Sequence, residues 1–281
     1  MALSSGRPKL GGAAKDALSP SNALAREHAE TIDAWLDGTV QRHEPLTFAE
    51  LRKGVQALSA RYVEQRGPQG VKAGALGSAA KRGAFATFYA GLHLQTVLAL
   101  APALIASLGG PRIRRVVDLG AGTGVVGAGL ALALGEPPPE VLALERSPWA
   151  LGEARATFKA FRVRARSRRA ALPGGMPRVG EQDLVAAGWF LNECQPDERS
   201  RLIDQLSAAL DAGAALVVLE PLSGRAVPWW DEVTEKLASR GVRQDIAKWP
   251  AELPAWLRKM DRAAGLRHQE LGARVAWGPV P

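Results

Sequence analysis

The fold is decided by the stretch VVDLGAGTG, residues 116–124, in which a short β-branched run leads into three alternating glycines. The apolar segment that follows, residues 125–134, predicts a helix, so the glycines form the turn between a strand and a helix. Glycine lets the backbone turn sharply and approach a ligand closely, and the start of the helix presents free amide groups. In open α/β sheets, ligands bind at this position, at the carboxyl ends of the strands. The stretch therefore predicts a site for a nucleotide-like ligand.

Further strands and helices alternate on the carboxyl side of this turn. We expect strands at EVLALE (140–145), FRVRARSRRA (161–170), DLVAAGWF (183–190) and AALVVLEP (214–221), with helices between them. This alternation predicts an α/β fold with a doubly wound, mostly parallel, Rossmann-like sheet.

The chain before the turn has a different character. Between residues 23 and 110, apolar residues recur at helical spacing, and Thr47 followed by Glu50 is a capping-box pattern. We therefore expect a helical N-terminal extension over residues 23–110 and the α/β domain, with a Trp-rich C-terminal part, over residues 111–281. Residues 1–22 are rich in Gly, Ser, Ala and Pro, and we expect them to be flexible.

The composition is that of a water-soluble globular protein, with 47% apolar and 23% charged residues among 281. No apolar stretch reaches the roughly 20 residues of a membrane span, and the N-terminus lacks the apolar core of a secretory signal. We therefore expect no membrane partner and a cytoplasmic location. A single cysteine, Cys194, excludes an internal disulfide, and the four scattered histidines show no metal-ligand spacing.

A basic cluster accounts for much of the net charge of +8. Its members are Arg155, Lys159, Arg162, Arg164, Arg166, Arg168 and Arg169. Four of these arginines alternate along the predicted third strand, so they share one face, and charges on an outer strand prevent edge-to-edge aggregation. The same cluster is suited to neutralising the phosphates of RNA. Edge protection is the favoured interpretation, and RNA binding stays open.

The glycines of the turn allow two alignments. One is Gly120-x-Gly122-x-Gly124, and the other is the dinucleotide fingerprint Gly122-x-Gly124-x-x-Gly127. The dinucleotide alignment requires an apolar strand before the turn, because that strand is buried on both faces, and Asp118 departs from this requirement. In the first alignment, Asp118 is expected at the mouth of the site, where it would accept a hydrogen bond from a ligand ammonium. Glu145 ends the second strand and indicates a ribose in either alignment, since a carboxylate accepts from both neighbouring hydroxyls.

Taken together, VVDLGAGTG (116–124), Glu145, DLVAAGWFLNE (183–193) and LVVLEP (216–221) resemble the class I S-adenosylmethionine-dependent methyltransferase superfamily. The resemblance covers about residues 114–221. It implies a seven-stranded sheet, bound S-adenosyl-L-methionine and methyltransferase activity that releases S-adenosyl-L-homocysteine. It assigns Asp118 to the amino-acid end of the cofactor and Glu145 to its ribose. The other cofactor contacts it implies are Gly120, Ala121, Gly122, Thr123, Gly124, Arg146 and Trp189.

A narrower resemblance rests on FLNE (190–193), the Glu-Pro that ends the fifth strand, and KRGAFATFYAG (81–91). These segments are similar to a methyltransferase-like family that associates with the small ribosomal subunit, notably in mitochondria. Members of that family often carry a cysteine cluster for a metal or iron–sulfur centre. This chain departs from them, because it has one cysteine.

Candidate catalytic residues follow the predicted fourth strand. Asn192 and Glu193 are polar groups suited to orienting an acceptor, and Glu193 is the candidate general base, with His93 as the second candidate. Four aromatic side chains are candidates for binding the acceptor, with core packing as the alternative for each: Tyr89, Phe190, Trp229 and Trp230.

The nature of the acceptor divides the functional hypotheses. The favoured one is a small molecule held in a closed pocket with Trp189, Trp229 and Trp230 as walls. The alternatives are an RNA- or ribosome-directed methyltransferase that uses the basic cluster, or a ribosome assembly factor that binds the cofactor without turnover.

Overall fold

The computed structural model describes residues 18–64, 76–109 and 113–280, apart from the side chains of residues 61–64. Residues 1–17 of the expected flexible N-terminus lie outside this range. The last residues of that segment are attached to the body of the protein. The Leu18 amide donates to Asp245 Oδ2 at 2.9 Å, and the Ser21 amide donates to the Ala99 carbonyl at 2.9 Å.

Seven strands form one sheet in the order β3-β2-β1-β4-β5-β7-β6. Their bounds are β1 Arg115–Leu119, β2 Glu140–Glu145, β3 Ala165–Arg169, β4 Asp183–Gly188, β5 Ala215–Glu220, β6 Arg243–Pro250 and β7 Glu270–Gly278. Strands β1 to β5 are parallel, and β7 runs antiparallel to both of its neighbours. The prediction of a mostly parallel, seven-stranded sheet is confirmed.

Helices cover both faces of the sheet. They are α1 Ala23–Glu27, α2 Ala29–Arg42, α3 Phe48–Glu64, α4 Ala79–Ala84, α5 Ala90–Ser107, α6 Val125–Ala133, α7 Pro148–Ala160, α8 Pro196–Asp211, α9 Trp230–Ala238 and α10 Ala255–Ala264. A π-helical turn, Phe85–Tyr89, joins α4 to α5, and a 3₁₀ turn, Leu191–Glu193, precedes α8. The apolar side chains of α8 and α9 form one core layer, and those of the other helices, α1 and α2 among them, form the second.

The N-terminal helices pack directly on the α/β part. Trp35 on α2 is buried, and its indole N–H donates to Thr157 Oγ1 on α7 at 3.1 Å. At the end of α2, the Arg42 guanidinium lies 2.9 Å from the Glu153 carboxylate, and His43 Nε2 lies 3.2 Å from its other oxygen. The N-terminal extension therefore completes the cover of one sheet face.

One helical stretch, Ala79–Ser107, is long and apolar enough to cross a membrane by length and composition alone. Within the fold, 72% of its most apolar window is buried by other parts of the protein. Its apolar side chains therefore supply the core layer beside α6, as the central helix of a folded domain does.

The two edges of the sheet differ from the interior in their sequence pattern. β3 is an outer strand, as expected, and its Arg166 and Arg168 side chains are exposed. The other edge, β6, was not predicted, because polar and charged residues interrupt its apolar positions. Only Ala247 and Trp249 of this strand are buried, and Ile246 faces solvent.

Candidate functional site

The glycine turn connects the end of β1 to α6 with a backbone that requires glycine. Gly120, Gly122 and Gly124 have φ values of +63°, +52° and +79°, in the left-handed region that strains other residues. The Phe190 ring covers Gly120, since a Cβ there would lie 2.1 Å from it, and Phe158 covers Gly124 in the same way. A Cβ on Gly122 would meet nothing closer than 3.9 Å. Gly122 is therefore where the turn leaves room for a ligand.

Gly127, the last glycine of the dinucleotide alignment, is also required by the packing. A Cβ at this position would lie 2.7 Å from Val141 and 2.9 Å from the Asp118 carboxyl. Because glycine is needed at all four positions, the spacing by itself does not separate the two alignments. The sheet does separate them, since a dinucleotide-binding sheet has six parallel strands, whereas here antiparallel β7 lies between β5 and β6.

The sequence predicted Asp118 at the mouth of the site. In the structure it lies beneath the turn, because its side chain is buried against the start of α6. Its side chain is 1% exposed, and Oδ2 accepts a hydrogen bond of 2.9 Å from the Gly127 amide. Oδ1 is buried without a hydrogen-bond partner among the described residues. Burial raises the pKa of this carboxyl to about 7, against the lowering effect of the Gly127 bond and with a further increase from the Glu145 charge. Asp118 therefore holds the turn onto α6 and retains one unpaired acceptor oxygen.

Glu145, at the end of β2, is hydrogen-bonded to the glycine turn. Its Oε2 accepts from the Gly122 amide at 3.2 Å, and its Oε1 accepts from the Ser147 amide at 2.8 Å. The carboxylate is partly exposed beside the free space at Gly122. The next residue, Arg146, is exposed, and Ala121 and Thr123 are buried within the turn. The carboxylate that the sequence predicts to bind ribose thus lies in direct contact with the glycine turn.

An aromatic stack lies where the π-helical turn meets the end of β4. The His93 imidazole and the Trp189 indole are parallel within 3°, with ring centroids 3.8 Å apart, and the Phe85 ring meets His93 edge-on at 6.1 Å. Trp189 has a φ of +51°, a left-handed conformation that costs about 1–2 kcal/mol in a non-glycine residue. Strained backbone and π-helical turns both occur frequently at functional sites.

The same stack changes the chemistry available to His93. Burial lowers the pKa of the imidazole to about 3, so the ring is neutral at pH 7 and is a weak base. Tyr89 lies four residues before His93, at the end of the π-helical turn, where its ring stacks on Phe85 at 6.4 Å. The structure therefore favours an aromatic surface, rather than proton transfer, at His93.

Glu220, at the end of β5, is a residue of the site that the sequence reasoning missed. Its side chain is fully buried, and Oε1 accepts from the amides of Leu191 at 2.9 Å and Asn192 at 3.2 Å. Burial raises the pKa of this carboxyl well above its ordinary value, against the effect of those two bonds. Glu220 Oε2 and Asn192 Oδ1 are both buried acceptors without a partner among the described residues. The position of an acid at the carboxyl end of an apolar strand was the available signal.

The remaining candidate residues lie at separate places and do not form one group. Glu193 is exposed on the turn that Glu220 holds, and Phe190 packs on Gly120. Trp229 is partly buried beneath the Arg199 guanidinium, which lies 4.7 Å from its ring centroid. Trp230 is 2% exposed, and its indole N–H donates to Gln244 Oε1 at 2.6 Å.

The expected pocket wall of three tryptophans is therefore not brought together. Trp189 packs against one core layer, whereas Trp229 and Trp230 belong to the layer on the opposite face of the sheet. Trp230 is a core residue because its ring is enclosed by α9 and β6. The aromatic group near the glycine turn consists of Trp189, Phe190 and His93.

Comparison with known proteins finds distant similarities to solved structures and leaves the family unassigned. No family model matches the chain, and no curated protein matches it. Among solved structures, precorrin-6y C5,15-methyltransferase from Geobacter metallireducens GS-15 is 19% identical, with a TM-score of 0.44, over 63% of this chain and 87% of that one. Ribosomal protein L11 methylase from Lactobacillus delbrueckii subsp. bulgaricus is 16% identical, with a TM-score of 0.36, over 57% and 68%. The expected resemblance to methyltransferases is confirmed as a likeness of fold.

Proposed function

We propose that this protein is an S-adenosylmethionine-dependent methyltransferase acting on a small-molecule acceptor. The observation that carries the proposal is the contact between the Gly122 amide and the Glu145 carboxylate, beside free space at the carboxyl ends of β1 and β2. A glycine turn lets a nucleoside approach the backbone, and a carboxylate at the end of the next strand accepts from its ribose hydroxyls.

The residues of this edge fit the cofactor. Glu145 would hold the ribose, and the open surface of Gly122 would lie against the nucleoside. Asp118 carries one buried oxygen without a donor among the described residues, and a cationic ligand close to this carboxyl would favour its ionised form. S-adenosyl-L-methionine is such a ligand, and it supplies a methyl group already activated by a positively charged sulfur.

The chain then has to orient the acceptor and exclude water. Glu220 fixes the turn that carries Asn192 and Glu193 by binding two of its backbone amides. Asn192 Oδ1 would orient an N–H or O–H of the acceptor, and Glu193 is the candidate base where the acceptor has to lose a proton. Trp189 and neutral His93 offer an apolar surface beside that turn.

The position of the basic cluster supports a small acceptor over RNA. β3 is three strands away from β4, or about 14 Å at 4.8 Å per strand, so most of its arginines are remote from Asn192 and Glu193. One contact favours the RNA-directed alternative, since the Arg169 guanidinium donates to the Arg146 carbonyl beside Glu145 at 3.2 Å. An RNA acceptor would show affinity that falls steeply with salt.

Calorimetry with S-adenosyl-L-methionine tests the cofactor site. We expect the protein to bind it and Glu145→Ala to weaken binding roughly 10-fold or more, since hydrogen bonds to a charged group contribute about 1.5–3 kcal/mol. Glu140→Ala, at the opposite end of the same strand, is the matched control and should retain affinity. Equal affinity of Glu145→Ala and the parent, or binding of NAD in place of S-adenosyl-L-methionine, would reject the site.

Transfer of a labelled methyl group into fractionated small-molecule, RNA and protein pools tests the acceptor. Label in the small-molecule pool is the expected result. Label confined to RNA would favour the alternative acceptor, and cofactor binding without label in any pool would indicate the non-catalytic role.

A further inference from the structure

A cavity with a volume of about 730 Å³ lies away from the glycine turn. It is bounded by α1 and α2 on one side, by α10 and the loops around it on the other, and by α5 at the bottom. Small-molecule sites in proteins are typically about 300–1,000 Å³. The polar residues that matter for its chemistry are Arg26, Gln95, Arg258, Arg262, Arg267 and His268.

This cavity is separate from the proposed methyltransferase site. The loops that line it follow β6 and precede β7, whereas the glycine turn follows β1. In the sheet order, β1 and β6 are four positions apart, or about 19 Å at 4.8 Å per strand. None of the residues that hold the glycine turn lines the cavity.

Gln95 places a polar group at the bottom of the cavity. It extends from α5, is 3% exposed, and makes no hydrogen bond to another residue in the described part of the chain. Its amide lines the cavity and is therefore available to a polar group of a ligand. A ligand that reaches the bottom of the cavity would give this amide a partner.

A histidine with a fixed orientation lies on the wall. Asp261 is buried, its Oδ2 accepts from the His268 backbone amide at 2.9 Å, and its Oδ1 lies 2.5 Å from His268 Nδ1. This pair directs the other ring nitrogen, Nε2, to be the one available to a ligand. Arg267, directly before it, has a φ of +56°, so the loop holds a strained conformation at this point.

The charges on the wall favour an anion. Glu252 is neutralised by Arg26, with Nε to Oε2 at 2.8 Å, and Asp261 is paired with His268. The guanidinium groups of Arg258, Arg262 and Arg267 have no acidic partner within the described residues, and Asp33 is the remaining acid on the wall. Three unpaired cations thus face one unpaired carboxylate.

We propose that this cavity binds a small anionic molecule with a phosphate or carboxylate group. Arg258, Arg262 and Arg267 would contact the anionic group, because guanidinium donors match the geometry of both oxyanions. The Gln95 amide would bond a polar group of the same molecule at the bottom of the cavity. Its size admits a molecule larger than the bare anion.

Calorimetry with inorganic phosphate and with citrate tests this site in the full chain. We expect saturable binding of at least one probe, and roughly 10- to 100-fold weaker binding in the double variant Arg258→Ala/Arg262→Ala, which loses two charge-assisted contacts. Both arginines are exposed, so the double variant should fold. The double variant Arg155→Ala/Arg164→Ala removes two exposed arginines outside the cavity, so it is the charge-matched control and should bind like the parent.

Two further measurements separate this site from the proposed methyltransferase site. Gln95→Met removes the amide at similar volume, and we expect it to weaken the binding of citrate, which carries polar groups beyond the carboxylate that the arginines would hold. S-adenosyl-L-methionine affinity should be unchanged in the double arginine variant. Absence of binding by both anions at millimolar concentration, or an equal loss in Arg155→Ala/Arg164→Ala, would overturn the proposal. Preference for phosphate or for citrate identifies which anionic group the site accepts.

Discussion

Replacing Asp118 with asparagine removes the ionisation of a buried carboxyl whose pKa the fold raises. The side chain is 1% exposed and bonds the Gly127 amide through Oδ2. Burial raises its pKa from 3.8 to about 7, with the Glu145 charge adding to this effect and the Gly127 bond opposing it. Asparagine has the same shape and keeps an oxygen for Gly127, but it does not ionise. The Asp118→Asn variant therefore isolates the effect of ionisation.

The magnitude follows from the difference between the folded and unfolded pKa values. Because the folded pKa is the higher one, the folded state binds the proton more tightly. The resulting stability is fully present below pH 3.8 and is lost as the pH rises toward 7. Each pH unit in that window is equivalent to about 1.4 kcal/mol. Between pH 5 and pH 8, the parent should therefore lose about 2–3 kcal/mol that Asp118→Asn does not lose.

Urea denaturation at pH 5, 6, 7 and 8 measures this difference. The difference between parent and variant cancels the titration of other groups, Glu220 included, as long as these groups are unchanged. Asp204→Asn replaces an exposed carboxyl and should follow the pH dependence of the parent. If Asp118→Asn and the parent lose stability in parallel from pH 5 to pH 8, Asp118 is ionised or hydrated in the folded protein, and the reasoning fails.

Three further predictions concern backbone and packing. Gly120→Ala should destabilise the fold by about 2 kcal/mol or more in urea denaturation, because the new Cβ would lie 2.1 Å from the Phe190 ring and force the ring to move. Unchanged stability would contradict this packing. Arg162→Gly should raise the unfolding free energy by up to about 1 kcal/mol, since φ at this exposed residue is +54°; a loss of stability would be the contrary result. Trp35→Ala should cost about 3–5 kcal/mol, because the buried ring joins α2 to Thr157 on α7; a cost below 1 kcal/mol would show the N-terminal helices to be independent.

Much of the α/β part was predictable from local pattern. The apolar runs of β1, β2, β4 and β5 are recognisable because central parallel strands are buried on both faces. The glycine turn is equally clear, because left-handed φ values at 120, 122 and 124 require glycine in the sequence itself.

The elements that were missed lack such a pattern. β6 is an edge strand in which Ile246 is exposed and polar residues at 243–245 and 248 interrupt the apolar positions, so its periodicity is weak. The π-helical turn at Phe85–Tyr89 is composed of residues that also favour an α-helix. The burial of Trp230 could not be predicted from the sequence, where it is indistinguishable from its neighbour Trp229. Trp230 is buried because its ring packs against β6, where its indole N–H donates to Gln244.

By itself, the sequence determined the order of strands and helices from β1 to β5, the position of the glycine turn and the presence of an acid at the end of β2. These properties depend on residues close together in the chain, where backbone geometry and apolar periodicity act. Only the tertiary structure decided that Asp118 lies beneath the turn, that Glu220 holds the Asn192 turn, and that His93 stacks on Trp189. Each of those outcomes joins residues far apart in the chain. Burial, not residue type, then sets the protonation of Asp118, Glu220 and His93.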